Sequence, residues 1–449
     1  MDRIQAEDAR KPGAQDDMVA GQAAKCADGC ANAGTEAGMD TAGTLHATWL
    51  PDFASVPAQD WDALLPGVEG ARPFLRHGVL QAMVASGSAC ADTGWQPHVL
   101  TVRDGEGRLL GACPSFAKSH SYGEYVFDWA WADAHDRALA AQGQRYHPKL
   151  LGAVPFSPIP GQRLLVHPGL PHEAQTAVRQ TLLAALEAEC ARQGWSSAHL
   201  LFLSEAEAAL AGARGWLLRH GVQFHWRNRE PQPFADFDDF LASLQRDKRK
   251  KIQQERRKVR DAGIHFEVRE GAEITESDWA FFYRCYAQTY QERGQQPYLT
   301  PAFWQAAAQV CPQDWVLFIA HHGEQAIACA LLAVDREQGV AHGRYWGALA
   351  SVSCLHFEAC YYQPLQWCIA QGLRRFEGGA QGEHKLARGL LPVKTQSAHW
   401  LRHPGLRQAV ADFLRREDRG VDAYVDELDE RQPFKPCSID LTGTATMPP

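Results

Sequence analysis

One order of strands and helices occurs twice along the chain, and this duplication limits the folds that the chain can adopt. Runs of apolar residues around a glycine-containing turn predict a β-hairpin in each half, at HVLTVRD (98–104) with LLGACPSF (109–116) and at WVLFIAHHGEQAIACALLAV (315–334). A further strand that is rich in aromatic residues follows each hairpin, at YVFDWAW (125–131) and AHGRYWGAL (341–349).

A helix and a last strand complete each copy. Helices are predicted over about 173–193 and 354–371, and each stops at a glycine. They lead into the strands SAHLLFL (197–203) and RRFEGG (374–379). The repeated order β-β-β-α-β predicts an α+β fold, in which each half is a mixed, mostly antiparallel sheet flanked by helices. The core of a GNAT-type acyltransferase would show this order, and several other mixed folds share it.

The boundaries of these domains follow from changes in composition along the 449 residues. Residues 1–44 carry almost no aliphatic side chains and are expected to form a disordered N-terminal tail. The polar, proline-containing segment 228–245 separates a first domain over 45–228 from a second over 229–431, which we call the first and second halves. Residues 432–449 are rich in proline and predict an extended C-terminal tail.

Several classes of protein are disfavoured by the sequence. The net charge of −8 does not suit a general nucleic-acid coat, so any basic contact surface must be local. The twelve cysteines form no CxxC pair, and no apolar leader or membrane-spanning run occurs, which predicts a cytoplasmic protein with reduced thiols. No P-loop, GxGxxG, GxSxG or zinc-ligand pattern is present, so we expect no metal and no tightly bound cofactor.

A strongly basic helix opens the second half. The segment RDKRKKIQQERRKVR (246–260) holds nine basic residues against Asp247 and Glu255, with few aliphatic side chains. It is predicted to be exposed over most of its circumference. It is either a solvated charged helix or a phosphate-binding surface for a nucleotide-linked substrate or RNA. The candidate phosphate contacts are Lys248, Arg249, Lys250, Arg256 and Arg257.

The first half contains a polar segment before its third predicted strand. In KSHSYGEYVFDWAWADA (118–134), alternation is expected to place Tyr125, Phe127, Trp129 and Trp131 on one strand face, where core packing explains them. The polar residues that precede them are candidates for a pocket wall and for substrate binding: Lys118, His120, Tyr122 and Glu124.

A proline-rich segment follows, YHPKLLGAVPFSPIPGQRLL (146–165). Four prolines predict a fixed, extended loop rather than a central strand or helix. Lys149 is a further candidate for substrate binding, although a rigid wrap around the first half explains the segment as well.

The richest candidate site is FEGGAQGEHKLARGLLP (376–392), which follows the last predicted strand. Backbone without side chains can approach a ligand closely, and the candidate contacts there are Gly378, Gly379, Gln381 and Gly382. Lys385 and Arg388 suit an oxyanion or a phosphate. Glu383, His384 and Glu358 of the preceding helix suit proton transfer. A solvated turn is the alternative interpretation.

Three of these segments resemble a known family. KSHSYGEYVFDWAWADA, YHPKLLGAVPFSPIPGQRLL and FEGGAQGEHKLARGLLP with the following SAHW resemble the FemAB-like proteins, described as peptidoglycan biosynthesis/recognition and related to the GNAT superfamily. The resemblance covers roughly residues 45–436. It implies tandem GNAT-like domains and an acyl- or aminoacyl-transferase that acts on an amine of a small molecule or of a cell-wall precursor, which can be nucleotide-linked.

The same resemblance implies the roles of donor and site residues. Fem ligases take an amino acid from aminoacyl-tRNA, and Lys385 looks like the counterpart of a lysine thought to steady their transition state. No long coiled-coil insertion is present, and ALASVSCLHFE (348–358) stands where a GNAT pyrophosphate loop is expected. Acyl-CoA and aminoacyl-tRNA therefore both stay open as donor substrates, and so does the oligomeric state. A non-catalytic module that binds a muropeptide or a nucleotide sugar is the alternative function.

Overall fold

The computed structural model describes residues 44–68, 70–380 and 382–435. Nearly all of the tail predicted over 1–44, and residues 436–449 of the C-terminal tail, lie outside these residues. Residues 432–435 are described, and Phe434 is buried and forms an antiparallel bridge with Leu244.

The described chain contains fifteen strands. In chain order the strands are β1 (His46–Leu50), β2 (Trp95–Pro97), β3 (Val99–Arg103), β4 (Leu109–Cys113), β5 (Ser115–Lys118), β6 (Lys149–Gly152), β7 (Leu165–Val166), β8 (Ser197–Leu203), β9 (Leu217–Arg227), β10 (Ile264–Glu270), β11 (Trp315–His322), β12 (Gln325–Asp335), β13 (Val340–Ala348), β14 (Arg375–Ala380) and β15 (Leu391–Leu401).

The helices flank these strands. In chain order they are α1 (Ala58–Asp62), α2 (Arg72–Leu75), α3 (His77–Ala85), α4 (Trp129–Leu139), α5 (His172–Gln193), α6 (Glu205–Ala213), α7 (Phe237–Ser243), α8 (Arg246–Asp261), α9 (Glu276–Gln291), α10 (Pro301–Val310), α11 (Leu355–Phe357), α12 (Gln363–Ala370) and α13 (Pro404–Glu430). A π-helical turn, Glu358–Tyr362, joins α11 to α12.

Two sheets organise the described residues. The smaller has the order β1-β3-β4-β7, and the larger has the order β10-β11-β12-β13-β14-β9-β15-β8-β6-β5-β2. Within them, only the pairs β13–β14 and β6–β8 are parallel. The predicted α+β class, with mostly antiparallel sheets flanked by helices, is confirmed.

Most of the elements predicted in the second half are confirmed. β11 and β12 form the predicted antiparallel hairpin, and β13 follows it as the third strand. The predicted helix over 354–371 exists as α11, the π turn and α12. The basic helix also exists as α8, with only Ile252, Glu255 and Val259 buried among its residues.

In the first half the hairpin, the long helix and the last strand are confirmed as β3–β4, α5 and β8. The strand predicted over 125–131 is wrong. Residues 119–128 form a loop, which continues into α4 at Trp129. The backbone at Gly123 and Tyr125 adopts positive φ, at 80° and 62°, and an extended strand cannot include such residues.

The last strands of the two halves cross over in the larger sheet. β9, which ends the first half, pairs with both β14 and β15 of the second half. β15 in turn pairs with β8 of the first half. Backbone hydrogen bonds therefore run continuously across the predicted boundary at 228–229.

No helix in the described part of the chain is both long and apolar enough to cross a membrane.

Candidate active site

The parallel strands β13 and β14 pair over only a short distance. Their register covers Val340–His342 against Arg375–Glu377, whereas β13 continues to Ala348. The pairing of β14 with its other neighbour, β9, is also interrupted, by a bulge between Glu377 and Ala380. The two strands diverge and leave a cavity of about 150 Å³, which we call the cleft. Its lining includes Arg344, Trp346, His356, Cys360, Tyr361 and Gly378.

Glycine is required where β14 borders the cleft. A Cβ atom on Gly378 would lie 2.4 Å from Leu390 Cδ2 and 3.0 Å from the carbonyl oxygen of Phe224. Gly379 has a φ of 75°, which side-chain-bearing residues rarely adopt. The bare backbone that the sequence predicts therefore lies in the wall of the cleft. Gln381 lies outside the described residues.

Lys385 lies behind this backbone, in a 3₁₀ helix that spans Glu383–Arg388. Its side chain is only 5% exposed, and its Nζ donates a hydrogen bond to the carbonyl oxygen of Gly379 at 3.2 Å. Burial lowers the pKa of Lys385 to about 8, the Cys360 thiol opposes this shift and the Arg344 charge adds to it. Lys385 is thus a cation that can titrate close to neutral pH.

Two histidines lie beside Lys385. His384 Nε2 and Tyr361 Oη are 3.0 Å apart, and the ring centres of His384 and His356 are 6.1 Å apart. Burial is the main cause that lowers the pKa of each histidine to about 4, and the charges of Arg388 and Lys385 lower it further. Both imidazoles are therefore neutral at pH 7 and can accept a proton.

Arg388, unlike Lys385, forms an ion pair with a carboxylate. Its guanidinium donates to both oxygens of Glu255 on α8, at 2.9 and 2.8 Å, and lies 3.5 Å from the centre of the Phe357 ring. Tyr362 donates its hydroxyl hydrogen to the same carboxylate. The charge of Arg388 is therefore already compensated inside the protein.

The two glutamates that were predicted to act in catalysis, Glu358 and Glu383, do not line the cleft. Glu358 is buried and accepts hydrogen bonds from Arg256 at 3.1 Å and from Gln363 at 2.7 Å. Glu383 is exposed and lies 3.1 Å from Arg431. Of the five residues predicted to act in catalysis, Lys385 and His384 lie next to the cleft without lining it: Lys385 is buried behind Gly379, and His384 is exposed beside His356. The structure places Arg388, Glu358 and Glu383 in ion pairs.

The sequence analysis missed several residues that line the cleft. Arg344 and Trp346 belong to a segment that was interpreted only as a strand. His356 was not predicted as a site residue. No group of described residues could hold a metal ion. Tyr361 was not predicted as a site residue; it packs in the core, and its hydroxyl lies 3.0 Å from His384 Nε2. The sequence did contain a signal for this site, because the aromatic-rich strand β13 has an arginine, Arg344, at its centre.

The first-half candidates form a buried ion cluster. Lys149 Nζ donates to Ser121 at 2.9 Å, to Glu124 at 2.8 Å and to Asp128 at 2.5 Å. Lys149 and Glu124 are almost completely buried. Burial raises the pKa of Glu124 to about 7, and this residue and Asp128 keep the pKa of Lys149 above its usual value despite burial. These side chains fix the loop 119–128 to β6.

The other first-half candidates surround this cluster. Lys118 is fully buried, donates to the carbonyl oxygen of Tyr122 at 3.3 Å and lies 3.9 Å from the centre of the Trp95 ring. Burial lowers its pKa to about 7. His120 is partly buried and its ring contacts that of Tyr122, which is 59% exposed. Tyr122 is thus the one candidate of this group with a well-exposed side chain.

The basic helix α8 lies beside the cleft rather than in it. Arg256 is bonded to Glu358, and Lys248 and Arg249 are half-buried. Lys250 and Arg257 are exposed, seven residues apart on one face of the helix. The phosphate-binding role of these residues stays a prediction.

A second cavity of about 420 Å³ adjoins the cleft and shares Trp346 and His356 with it. It lies between the C-terminal end of α9 and the segment Ala348–Val352, and its lining includes Gln288, Glu292 and Arg293. The two cavities therefore adjoin at Trp346 and His356, next to the segment that follows β13.

Comparisons with known proteins show distant structural likeness. L-PGS from Bacillus licheniformis aligns with a TM-score of 0.48 and 10% identity over 80% of this chain and 97% of that one. A tandem GNAT protein from the clavulanic acid biosynthesis pathway aligns with a TM-score of 0.41 and 13% identity, over 80% and 99% of the two chains. A GCN5-related N-acetyltransferase from Sphaerobacter thermophilus aligns with a TM-score of 0.30 and 11% identity, over 72% and 92%. No curated protein sequence matches the chain.

The family comparison covers most of the chain. Residues 52–436 match the model of the FemAB-like family, which is described as peptidoglycan biosynthesis/recognition. The match includes every strand of the two sheets except β1, and every residue that lines the cleft. The chain belongs to the FemAB-like family.

Proposed function

We propose that the protein is an N-acyltransferase that moves an acyl or aminoacyl group onto a primary amine in the cleft between β13 and β14. One observation carries this proposal: the neutral His356 lines the cleft, the buried Lys385 and the neutral His384 lie next to it, and no carboxylate is present among the described residues that line it. Such a cleft favours a negatively charged intermediate and can accept protons.

The reaction would begin when the nitrogen lone pair of the amine attacks the carbonyl carbon of an ester or thioester. A C–N bond forms, and the carbonyl oxygen becomes an oxyanion. The ammonium group of Lys385, behind Gly379, would stabilise this oxyanion, because a buried charge interacts more strongly than a solvated one. The intermediate then collapses, the C–O or C–S bond breaks, and the amide product forms.

The proton lost by the amine must reach the leaving oxygen or sulfur. His384 is a suitable carrier, since its imidazole is neutral at pH 7 and is hydrogen-bonded to Tyr361. The carrier accepts the proton as the C–N bond forms and returns it to the leaving group. This scheme forms no covalent intermediate with the protein.

Donor and acceptor are proposed only by class. Family membership supports an acceptor amine on a peptidoglycan precursor. The donor is either an aminoacyl-tRNA ester or an acyl-CoA thioester, and the second cavity offers either one a route to Trp346 and His356.

The test is to incubate the full-length protein with each donor and an amine acceptor, and to search for a mass increment on the acceptor. Lys385→Ala should lower the rate about 10²–10³-fold, the usual loss for an oxyanion-stabilising group. Lys394→Ala, which changes an exposed lysine on β15, should leave the rate unchanged.

A rate for Lys385→Ala within a few-fold of wild type would contradict the role given to Lys385. Binding of a precursor without any product from either donor would instead support the non-catalytic binding module.

A further inference from the structure

Arg344 is a cleft residue whose charge has no carboxylate partner among the described residues. It is half-buried on β13, and its Nη2 donates to the carbonyl oxygen of Phe156 at 3.1 Å. Its Nε is buried without a hydrogen-bond partner. Arg388 and Arg256, by contrast, are each bonded to a glutamate. A half-buried guanidinium without a counter-ion can pair with the oxygens of an anion, so Arg344 is suited to receive one.

Two residues of the first half meet Arg344 in strained backbone conformations. Tyr125 has a φ of 62°, and its ring centre lies 5.9 Å from the Arg344 guanidinium carbon. Phe156, which supplies the carbonyl partner, has a φ of 56°. Positive φ at residues other than glycine costs about 1–3 kcal/mol each and is often found at ligand sites. Two of the four such residues in the described chain therefore converge on one arginine.

The loop 119–128, which carries Tyr125, is fixed by two ion pairs. Glu124 and Asp128, on either side of Tyr125, bond to the buried Lys149. Tyr125 itself is 37% exposed, although it is a large aromatic residue. The anchors thus hold an accessible ring over Arg344 without burying it in the core.

Further aromatic side chains surround Arg344, and we call this part of the cleft the Arg344 corner. Phe156 stacks on Tyr298 with ring centres 4.9 Å apart, and Tyr345 lies 5.5 Å from the Arg344 guanidinium carbon. Rigid rings around a cation can orient a planar or ring-bearing anion while a guanidinium binds its oxygens.

We infer that Arg344 and Tyr125 form a subsite for an anionic group, a carboxylate or a phosphate, on the acceptor that enters the cleft. This inference rests on the proposed function, because it takes the cleft as the place where the acceptor binds. The second cavity meets the cleft at Trp346 and His356, which leaves the Arg344 corner for the acceptor. The subsite therefore limits the acceptors to amines that also carry a negative charge.

The test measures binding rather than turnover. Full-length wild-type protein and Arg344→Gln are titrated with phenyl phosphate, with benzoate and with the neutral benzamide, and binding is followed by calorimetry or ligand-observed NMR. Arg344→Gln should weaken binding of at least one anion about tenfold or more, as loss of a charge-assisted hydrogen-bonded pair does. Benzamide should bind both proteins equally.

Three further variants support the interpretation. Arg344→Lys keeps the charge but loses the paired donors, and should bind the anions with intermediate affinity. Tyr125→Ala should weaken the same anions less than Arg344→Gln does. Arg416→Gln, which changes an exposed arginine on α13, should bind as wild type. The preferred anion, phosphate or carboxylate, identifies the group on the acceptor.

Equal anion affinities for wild type and Arg344→Gln, or no binding of either anion to wild type at about 20 mM, would overturn the inference. The two proposals can fail separately. Anion binding that depends on Arg344 without any transfer would contradict only the proposed function, whereas transfer onto an uncharged amine at an equal rate would contradict only the subsite.

Discussion

Replacing Lys385 by methionine should make the protein more stable at pH 7 while it removes transfer. Lys385 is 5% exposed, and burial lowers its pKa from 10.5 to about 8. At pH 7 the lysine is charged in both the folded and the unfolded state. The folded state therefore bears a penalty of about 3 kcal/mol, from 1.36 kcal/mol for each pKa unit. Methionine has a similar length and fills the same space without a charge.

The size of the effect depends on pH in a defined direction. Between about pH 8 and 10.5 the folded state has lost the Lys385 proton and the unfolded state has kept it, so the penalty decreases as pH rises. About 1.4 kcal/mol should remain at pH 9.5. For roughly 400 residues that unfold together, an unfolding entropy of about 2.1 cal/mol/K per residue converts these values to Tm increases of about 4 °C at pH 7 and 2 °C at pH 9.5.

The measurement is the difference in Tm between variant and wild type at the two pH values, since other groups that titrate affect both proteins alike. Lys251→Met, which removes one exposed lysine from α8, is the control and should shift Tm by less than about 1 °C. A Lys385→Met variant that is less stable than wild type at pH 7, or a gain that does not change with pH, would refute the assignment of a desolvated charge to Lys385.

Two other predictions concern the same segment. The rate of transfer by the wild type should fall as pH rises through about 8, because Lys385 loses its proton there. Lys385→Arg should keep its rate over this range. A fall in rate at the same pH in both proteins would contradict Lys385 as its source. Arg388→Met should lower the stability by about 3–5 kcal/mol, since it leaves the buried Glu255 carboxylate without its cation, and thermal unfolding should show that the Arg388→Met/Glu255→Gln double variant regains part of this loss. A normal Tm with a large loss of rate in Arg388→Met would instead return Arg388 to the catalytic role that the sequence predicts.

The elements that were predicted correctly depend on local signals. The hairpin β11–β12 and the helix α5 have clear periodicity and a glycine at the turn or at the end of the helix. The segment 125–131 has the same kind of signal, alternating aromatic residues, but it is not a strand. The carboxylates of Glu124 and Asp128 bind Lys149, more than 20 residues away, and this distant contact decides the conformation of the loop.

The site was predicted in part for the same reason. The glycines at 378 and 379 indicated close approach of the backbone, and Lys385 does pack behind them. Lys385 and Arg388 look equivalent in the sequence, since both are cations in one short 3₁₀ segment. Their environments differ because Glu255, 133 residues before Arg388, neutralises only the arginine. Local composition contains no information about such a partner.

The exchange of strands between the halves explains why the cleft needs both of them. β14 forms the second wall of the cleft, yet its parallel pairing with β13 covers only three residues of each strand. Its other neighbour in the sheet is β9, which belongs to the first half. The first half also supplies Tyr125 and Phe156 to the corner around Arg344. Without the first half, β14 would lose its pairing with β9, and Arg344 would lose its contacts with Tyr125 and Phe156. The cleft is therefore lined by residues of the second half, whereas the first half supports β14 through β9 and supplies the rings beside Arg344.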